Sequence, residues 1–245
     1  MLNWVRSVAR RVLPGKGEAG WVEKEARSLL SRSAGCRTLE EKVDLMLGNP
    51  AFFALQKRSE ILGLLRMVEA LEPRLLCEIG SQQGGTLFLL AQVAPDGAKI
   101  FSLDIEHTPA CLAIAEAAGT RTPVTCLTAD SHSPETLAKV RDWLGGGELF
   151  DFMLIDGDHS LAGVKQDHEM YSPLARPGGL IAFHDINPLK PGVEEPTGAD
   201  PGEVPEFWAG FKPTQTDVTE FVEDPTRGGY GIGVARVPEG THEPS

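Results

Sequence analysis

Residues 74–86 read Arg-Leu-Leu-Cys-Glu-Ile-Gly-Ser-Gln-Gln-Gly-Gly-Thr. Before this stretch the apolar positions follow a helical period; within it a short apolar run ends on an acid and a glycine turn. The same design recurs downstream at Lys99–Leu103, Val124–Leu127, Phe150–Ile155 and Leu180–His184. Runs of this length, apolar on both faces, indicate strands of a parallel sheet covered by helices. The stretches between them carry helical spacing, near Thr86–Val93, Pro109–Ala118, Pro134–Leu144 and Leu161–Leu174. The class is therefore α/β, and right-handed crossovers put the C-terminal tips of all five strands on one rim, where such sheets bind ligands. A Pro/Gly/Glu-rich loop, Asn187–Pro205, a short helix at Phe207–Phe211 and two strand candidates, Asp217–Val222 and Tyr230–Arg236, follow.

Working backwards, Trp21 to Leu71 reads as three helices: Trp21 to Leu30, Leu39 to Leu47, and a long third from Phe53 to Leu71, stopped by Pro73. Residues 18–73 are expected to form a helical extension before a main domain at 74–237. Residues 1–17 carry Arg6, Arg10, Arg11 and Lys16 and no acid. The arginines interrupt the apolar positions, unlike a secretory signal. A mobile arm, or a helix packed on the domain, is favoured over an amphipathic helix on an anionic membrane surface. The polar tail 238–245 is expected to be disordered.

Composition narrows the function. With 35 Asp and Glu against 23 Lys and Arg in 245 residues, the net charge of −12 argues against nucleic-acid binding, which needs cations to neutralise phosphates. No run approaches the ~18 apolar residues of a membrane-spanning helix. Cys36, Cys77, Cys111 and Cys126 form neither a CxxC motif nor a disulfide framework, as in a reducing, cytoplasmic setting. A homo-oligomer stays open.

The chemistry concentrates at the strand tips. The five apolar runs lead to Glu78 with Gly80-Ser81, to Asp104, to Asp130-Ser131, to Asp156-Gly-Asp158-His159-Ser160, and to His184-Asp185. Helix capping explains any one of these, but five tips in succession indicate a shared site. The glycines at 80, 84 and 85 are not spaced as GxGxxG, so no pyrophosphate cradle is present. An acid beside the first glycine points to a ligand bearing an ammonium or hydroxyls close by, and an acid ending the second strand can bind both ribose hydroxyls. A nucleoside with a cationic group and no pyrophosphate describes S-adenosylmethionine (SAM).

Glu78-Ile-Gly-Ser-Gln-Gln-Gly-Gly-Thr, Asp104, Phe152-Met-Leu-Ile-Asp-Gly-Asp-His-Ser and Leu174-Ala-Arg-Pro-Gly-Gly-Leu-Ile-Ala-Phe-His-Asp together resemble the class I SAM-dependent methyltransferases. Within them they resemble the branch of small O-methyltransferases that includes cephalosporin hydroxylase-like and macrolide or rhamnosyl sugar enzymes. The resemblance spans Arg74 to Arg236. It implies a Rossmann-like doubly wound sheet of seven strands, the last antiparallel. It also implies that Glu78, Gly80, Ser81 and Gly84 line the methionine end of SAM, with Asp104 at the ribose, Asp130 and Ser131 at the adenine, and Asp156 close by.

Asp156 and Asp185 match the positions that hold Mg²⁺ in metal-dependent members, and His159 matches the catalytic base. His184 stands where the sugar enzymes have a glutamate ligand, and Ile186 where catechol-type enzymes have an amide. His184 could ligate a softer divalent ion, orient Asp185 or accept a proton itself. The expected reaction is methyl transfer to a hydroxyl of a sugar, glycan or natural product. The alternatives are a small phenol of catechol type and an inactive cofactor-binding relative; a nucleotide-dependent dehydrogenase ranks below both. His107 and His132 are expected in solvated rim loops, and His168 in packing.

Overall fold

The structure, a computed structural model, describes residues 20–52, 54–192 and 200–240. The expected arm at 1–17, Phe53, part of the Pro/Gly/Glu-rich loop and the last five residues of the tail lie outside them. Seven strands form one sheet: β1 (Leu75–Ile79), β2 (Lys99–Asp104), β3 (Val124–Thr128), β4 (Phe150–Ile155), β5 (Ala175–His184), β6 (Val218–Phe221) and β7 (Ile232–Arg236). Their order is β3-β2-β1-β4-β5-β7-β6. The first five run parallel, and β7 is antiparallel to both β5 and β6. This is the expected doubly wound, Rossmann-like sheet with its last strand reversed. The order turns back between β1 and β4, so the switch point, where such sheets open a ligand cleft, lies between their tips.

Eight α-helices cover the sheet among the described residues: α1 (Trp21–Ala34), α2 (Leu39–Leu47), α3 (Arg58–Leu71), α4 (Gly85–Val93), α5 (Pro109–Ala118), α6 (Pro134–Leu144), α7 (Leu161–Tyr171) and α8 (Val204–Phe211). Their starts follow local chemistry. Thr38 and Glu41 close a capping box on α2; Thr108 and Ser160 accept the N3 amides of α5 and α7; Pro109 and Pro134 occupy the first turns of α5 and α6.

The core has two halves, one on each face of the sheet. On one, Leu29, Val43, Met46, Ile61, Leu64 and Val68 of the first three helices pack with Leu87 and Phe88 of α4, Ile114 of α5 and Phe152, Leu154 and Val234 of the sheet. On the other, α6 to α8 pack Val140, Tyr171, Phe207 and Trp208 against Phe101, Met153 and Phe183. The helical extension thus completes one layer of the fold that carries the rim.

Four elements here differ from the sequence reading. The third helix begins at Arg58. α7 stops at Tyr171, because Pro173 forces the next residues into a 3₁₀ turn, Ser172–Leu174. Tyr230 does not open β7: residues 228–231 all have positive φ, with Tyr230 at 57°, and a strand cannot continue through them. β3, expected to be apolar on both faces, is largely half-exposed, because it is an edge strand.

Candidate active site

The cleft is built from the β1 and β4 tips outward. Gly80 has φ +87°, and a Cβ there would lie 2.0 Å from the carbonyl oxygen of Asp156. Only glycine lets the two tips approach this closely. Asp156 N donates to Ile79 O at 2.8 Å, and Gly80 N to Leu103 O at 2.9 Å, so the loops after β1, β2 and β4 share one hydrogen-bonded frame. Gly84, φ +84°, turns the chain into α4, and a Cβ there would press on Cys111 of α5.

Glu78 is wholly buried, and neither of its carboxylate oxygens has a hydrogen-bond partner. Burial pushes its pKa up to about 8, with the Asp156 and Asp104 charges adding to the rise against the nearby Ser81 hydroxyl. A buried carboxylate without donors is costly alone and suits a site that receives a cation. Asp104, ending β2, takes a different local role: Oδ2 accepts from Ser81 N (2.7 Å) and Gln82 N (3.0 Å), and Oδ1 from Glu106 N (2.9 Å). It fastens the glycine loop while remaining at the rim. Asp130 caps the turn after β3 by accepting from His132 N, and the Ser131 carbonyl accepts from Tyr171 Oη.

At the β4 and β5 tips four side chains meet. His159 Nε2 lies 3.4 Å from Asp156 Oδ1, and His159 Nδ1 lies 3.6 Å from Asp185 Oδ2. His184 Nδ1 lies 3.4 Å from Asp156 Oδ1 and 3.3 Å from Asp185 Oδ2. Asp185 sits in the left-handed region at φ 63°, directly after β5. Burial drives the His159 pKa down, but Asp156 and Asp185 outweigh it and bring it to about 9. Burial likewise opposes, and Asp185 and Asp156 overcome, a charge on His184, which is raised well above the ordinary value. Asp156 is held far below the usual carboxylate range: burial works against this, and His184 and His159 prevail.

Two observations bear on a metal. One donor atom each from Asp156, His184 and Asp185 lies within 4.8 Å of the others. Asp185 Oδ1 and His184 Nε2 are buried without hydrogen-bond partners. Two carboxylates and an imidazole form a donor set that fits a divalent ion, with the nitrogen favouring first-row transition ions over Mg²⁺.

The structure thus brings Asp156, His159, His184 and Asp185 into one cluster, with Glu78, Gly80, Ser81, Gly84 and Asp104 along the adjoining rim and Asp130 and Ser131 at the β3 tip. The side-chain amide of Asn187, two residues after Asp185, donates to the Gly229 and Asp224 carbonyls. His132 and His107 are not solvated as expected: His132 pairs with the buried Asp167 at 3.2 Å, and His107 is buried under the β2 and β3 tips. His168 packs among Phe183, Phe207 and Phe211. Sequence reading missed Asp167 and Glu60. Both are acids on helices, where charge reads as a solvated face, and only tertiary packing buries them.

Residues 77–186 match the family model described as a methyltransferase domain. No curated protein matches the chain. Among solved structures, the O-methyltransferase TomG from Streptomyces achromogenes, involved in tomaymycin synthesis and solved in complex with SAM, aligns with a TM-score of 0.58 at 16% identity, over 91% of this chain and 92% of that one. An O-methyltransferase from Bacillus cereus, solved in complex with SAH, aligns with a TM-score of 0.52 at 19% identity, over 96% and 100%. The matched stretch runs from the strand that holds Glu78 to the residue after Asp185; over it the chain is similar to a methyltransferase domain, and its sheet order is that of the class I, SAM-dependent methyltransferase fold.

Proposed function

We propose that the protein is a SAM-dependent O-methyltransferase acting on a hydroxyl of a sugar, glycan or natural product. In this reading Glu78, Gly80, Ser81, Gly84, Asp104, Asp130, Ser131 and Asp156 bind the cofactor, Asp156, His184 and Asp185 hold a divalent cation, and His159 is the base. One observation carries it: His159 Nδ1 lies 2.7 Å from the carbonyl of Asp200. A carbonyl can only accept, so Nδ1 bears the proton and Nε2 is the basic nitrogen, turned to the Asp156 side of the cluster.

When bound, SAM supplies a methyl group already activated on a sulfonium, and a divalent cation supplies a lowered pKa for a hydroxyl at the cluster. The chain provides position and proton acceptance. Glu78 receives the ammonium, and Asp104 with its fastened loop faces the ribose. Asp156 and Asp185 fix the acceptor side, and Nε2 of His159 takes the hydroxyl proton. In the cation-free state His159 is held protonated by those two carboxylates. A cation held by Asp156 and Asp185 would offset the charge that raises the His159 pKa and bring it toward neutral. Gly202 and Glu203 keep the imidazole in place: Glu203 N donates to His159 O at 2.7 Å, and a Cβ on Gly202 would strike the same oxygen.

The test uses radiolabelled methyl-SAM with panels of glycosides and catechols. His159→Ala is expected to lower kcat by about 100-fold or more while leaving the Kd for S-adenosylhomocysteine within about twofold. Intact turnover in that variant would remove the base assignment. Turnover unaffected by EDTA would remove the cation.

A further inference from the structure

We propose that His107 is a positioning residue of the cofactor cleft, acting through a buried hydrogen-bond relay that fixes the Ser81 hydroxyl beside Glu78. The inference rests on the cofactor reading above. The relay has four members on three adjacent strand tips. His107 Nδ1 lies 2.9 Å from Thr128 Oγ1, the last residue of β3. His107 Nε2 lies 2.8 Å from Ser102 Oγ in β2, and Ser102 Oγ lies 2.6 Å from Ser81 Oγ in the loop after β1. Ser102 is fully buried, Ser81 and His107 nearly so, and Ser102 is the register partner of Glu78 in the sheet.

The direction of the relay follows from the imidazole. Burial lowers the His107 pKa, against the Asp104 charge, so the ring is neutral and has one N–H and one lone pair. It must donate on one side and accept on the other, so all four groups point the same way. With the proton on Nε2, Thr128 donates to Nδ1, Nε2–H donates to Ser102, and Ser102 donates to Ser81. The Ser81 proton is then free for the unpartnered Glu78 carboxylate or for a ligand beside it. With the proton on Nδ1 the relay reverses, and the Ser81 proton is spent on Ser102. An ionised Glu78 facing an ammonium needs the first sense. The Ser81 backbone is already tied down by Asp104, so the hydroxyl is the remaining freedom of this loop, and His107 removes it. None of the four groups touches the acceptor cluster, so the relay acts on cofactor binding rather than on proton removal.

The probe is S-adenosylhomocysteine, titrated calorimetrically into the wild type, His107→Leu, His107→Gln, Ser102→Ala and the double variant His107→Leu/Ser102→Ala. His107→Leu removes donor and acceptor together and is expected to raise Kd about tenfold. Ser102→Ala deletes one hydroxyl, retains the strand and is expected to do the same. The double variant should be no weaker than about twofold beyond either single one, because both break the same relay. His107→Gln, which keeps a donor and an acceptor, should recover most of the affinity. Histidine ¹⁵N spectra, assigned by the signal lost in His107→Gln, should show the Nε2–H tautomer with ligand bound. Additive losses, equal losses in Leu and Gln, or an Nδ1–H or charged ring in the complex would overturn the relay. A wild type that binds no S-adenosylhomocysteine would instead overturn the cofactor reading and the inference with it.

Discussion

Glu78 gives up the most for function of any side chain at the rim. Its folded pKa of about 8 lies above its ordinary value of 4.5. Between those values the folded protein holds a proton that the unfolded chain has released, so stability falls as pH rises through that window. Glu78→Gln should therefore raise the melting temperature of the ligand-free protein at pH 8 by about 5 °C and flatten its pH dependence, while weakening S-adenosylhomocysteine binding. Thermal scans across this range check it; an unchanged slope would place the pH dependence elsewhere. His159 gives a slope of the same sign, but as a stabilising contribution that is lost rather than a cost that grows. Its contribution to stability in the cation-free protein is complete below the unfolded value of 6.5 and is lost as pH rises through about 9. Adding diamagnetic Zn²⁺ should move the NMR titration of His159 downward by about one pH unit or more, since the carboxylates that raise it are the ones a cation engages. A titration unmoved by metal would separate the base from the cation site. The acids themselves were legible in the sequence because each ends an apolar run. What Asp104 does there was not, since its backbone donors come from a loop that only folding brings beside it.

Elements show the same division. The bounds of β1, β4, α5 and α6 coincide with the apolar runs and their prolines, because burial on both faces and first-turn proline leave a local mark. β5 begins five residues earlier than the run at Leu180. Pro177 and Gly178 interrupt its pattern, and the register with β4 shifts between Phe150 and Phe152. α3 carries the least legible feature. Glu60, almost wholly buried, accepts from Glu223 N at 2.8 Å and from Gly231 N at 2.9 Å. Gly231 O in turn accepts from Ile186 N, and Tyr230 O from Asn187 N, just past Asp185. A helix outside the stretch that resembles a known family thus pins the segment that carries an acid of the site. Glu60→Ala leaves the buried Gly231 amide and the part-buried Glu223 amide without their acceptor and should cost about 1–3 kcal/mol, most of it at Gly231. Chemical denaturation measures the loss, and a change under 1 kcal/mol would show that water replaces the carboxylate.

For the molecule as a whole, the question is whether the helices over residues 20–73 are an attachment or part of the fold. Their apolar residues share one cluster with α4, α5 and the sheet, and Gly63 of α3 lies so close to β6 that a Cβ would overlap the Phe221 ring. Removing the segment would expose Leu87, Phe88, Ile114 and Val234 and take away nine fully buried partners: Ala26, Leu29, Val43, Met46, Phe52, Ile61, Leu64, Leu65 and Val68. Burial of one Val, Leu, Ile, Phe or Met side chain stabilises by about 1.5–3 kcal/mol, so the loss is comparable to the whole ~5–15 kcal/mol by which domains are stable. It would also remove Glu60 from the Asp185 segment. A chain beginning at Arg74 should therefore lack a cooperative thermal transition and near-ultraviolet circular dichroism and should bind a hydrophobic dye, while the full chain melts in one step. A truncated chain that melts cooperatively and still binds S-adenosylhomocysteine would show that the rim needs only the strands and helices that follow it.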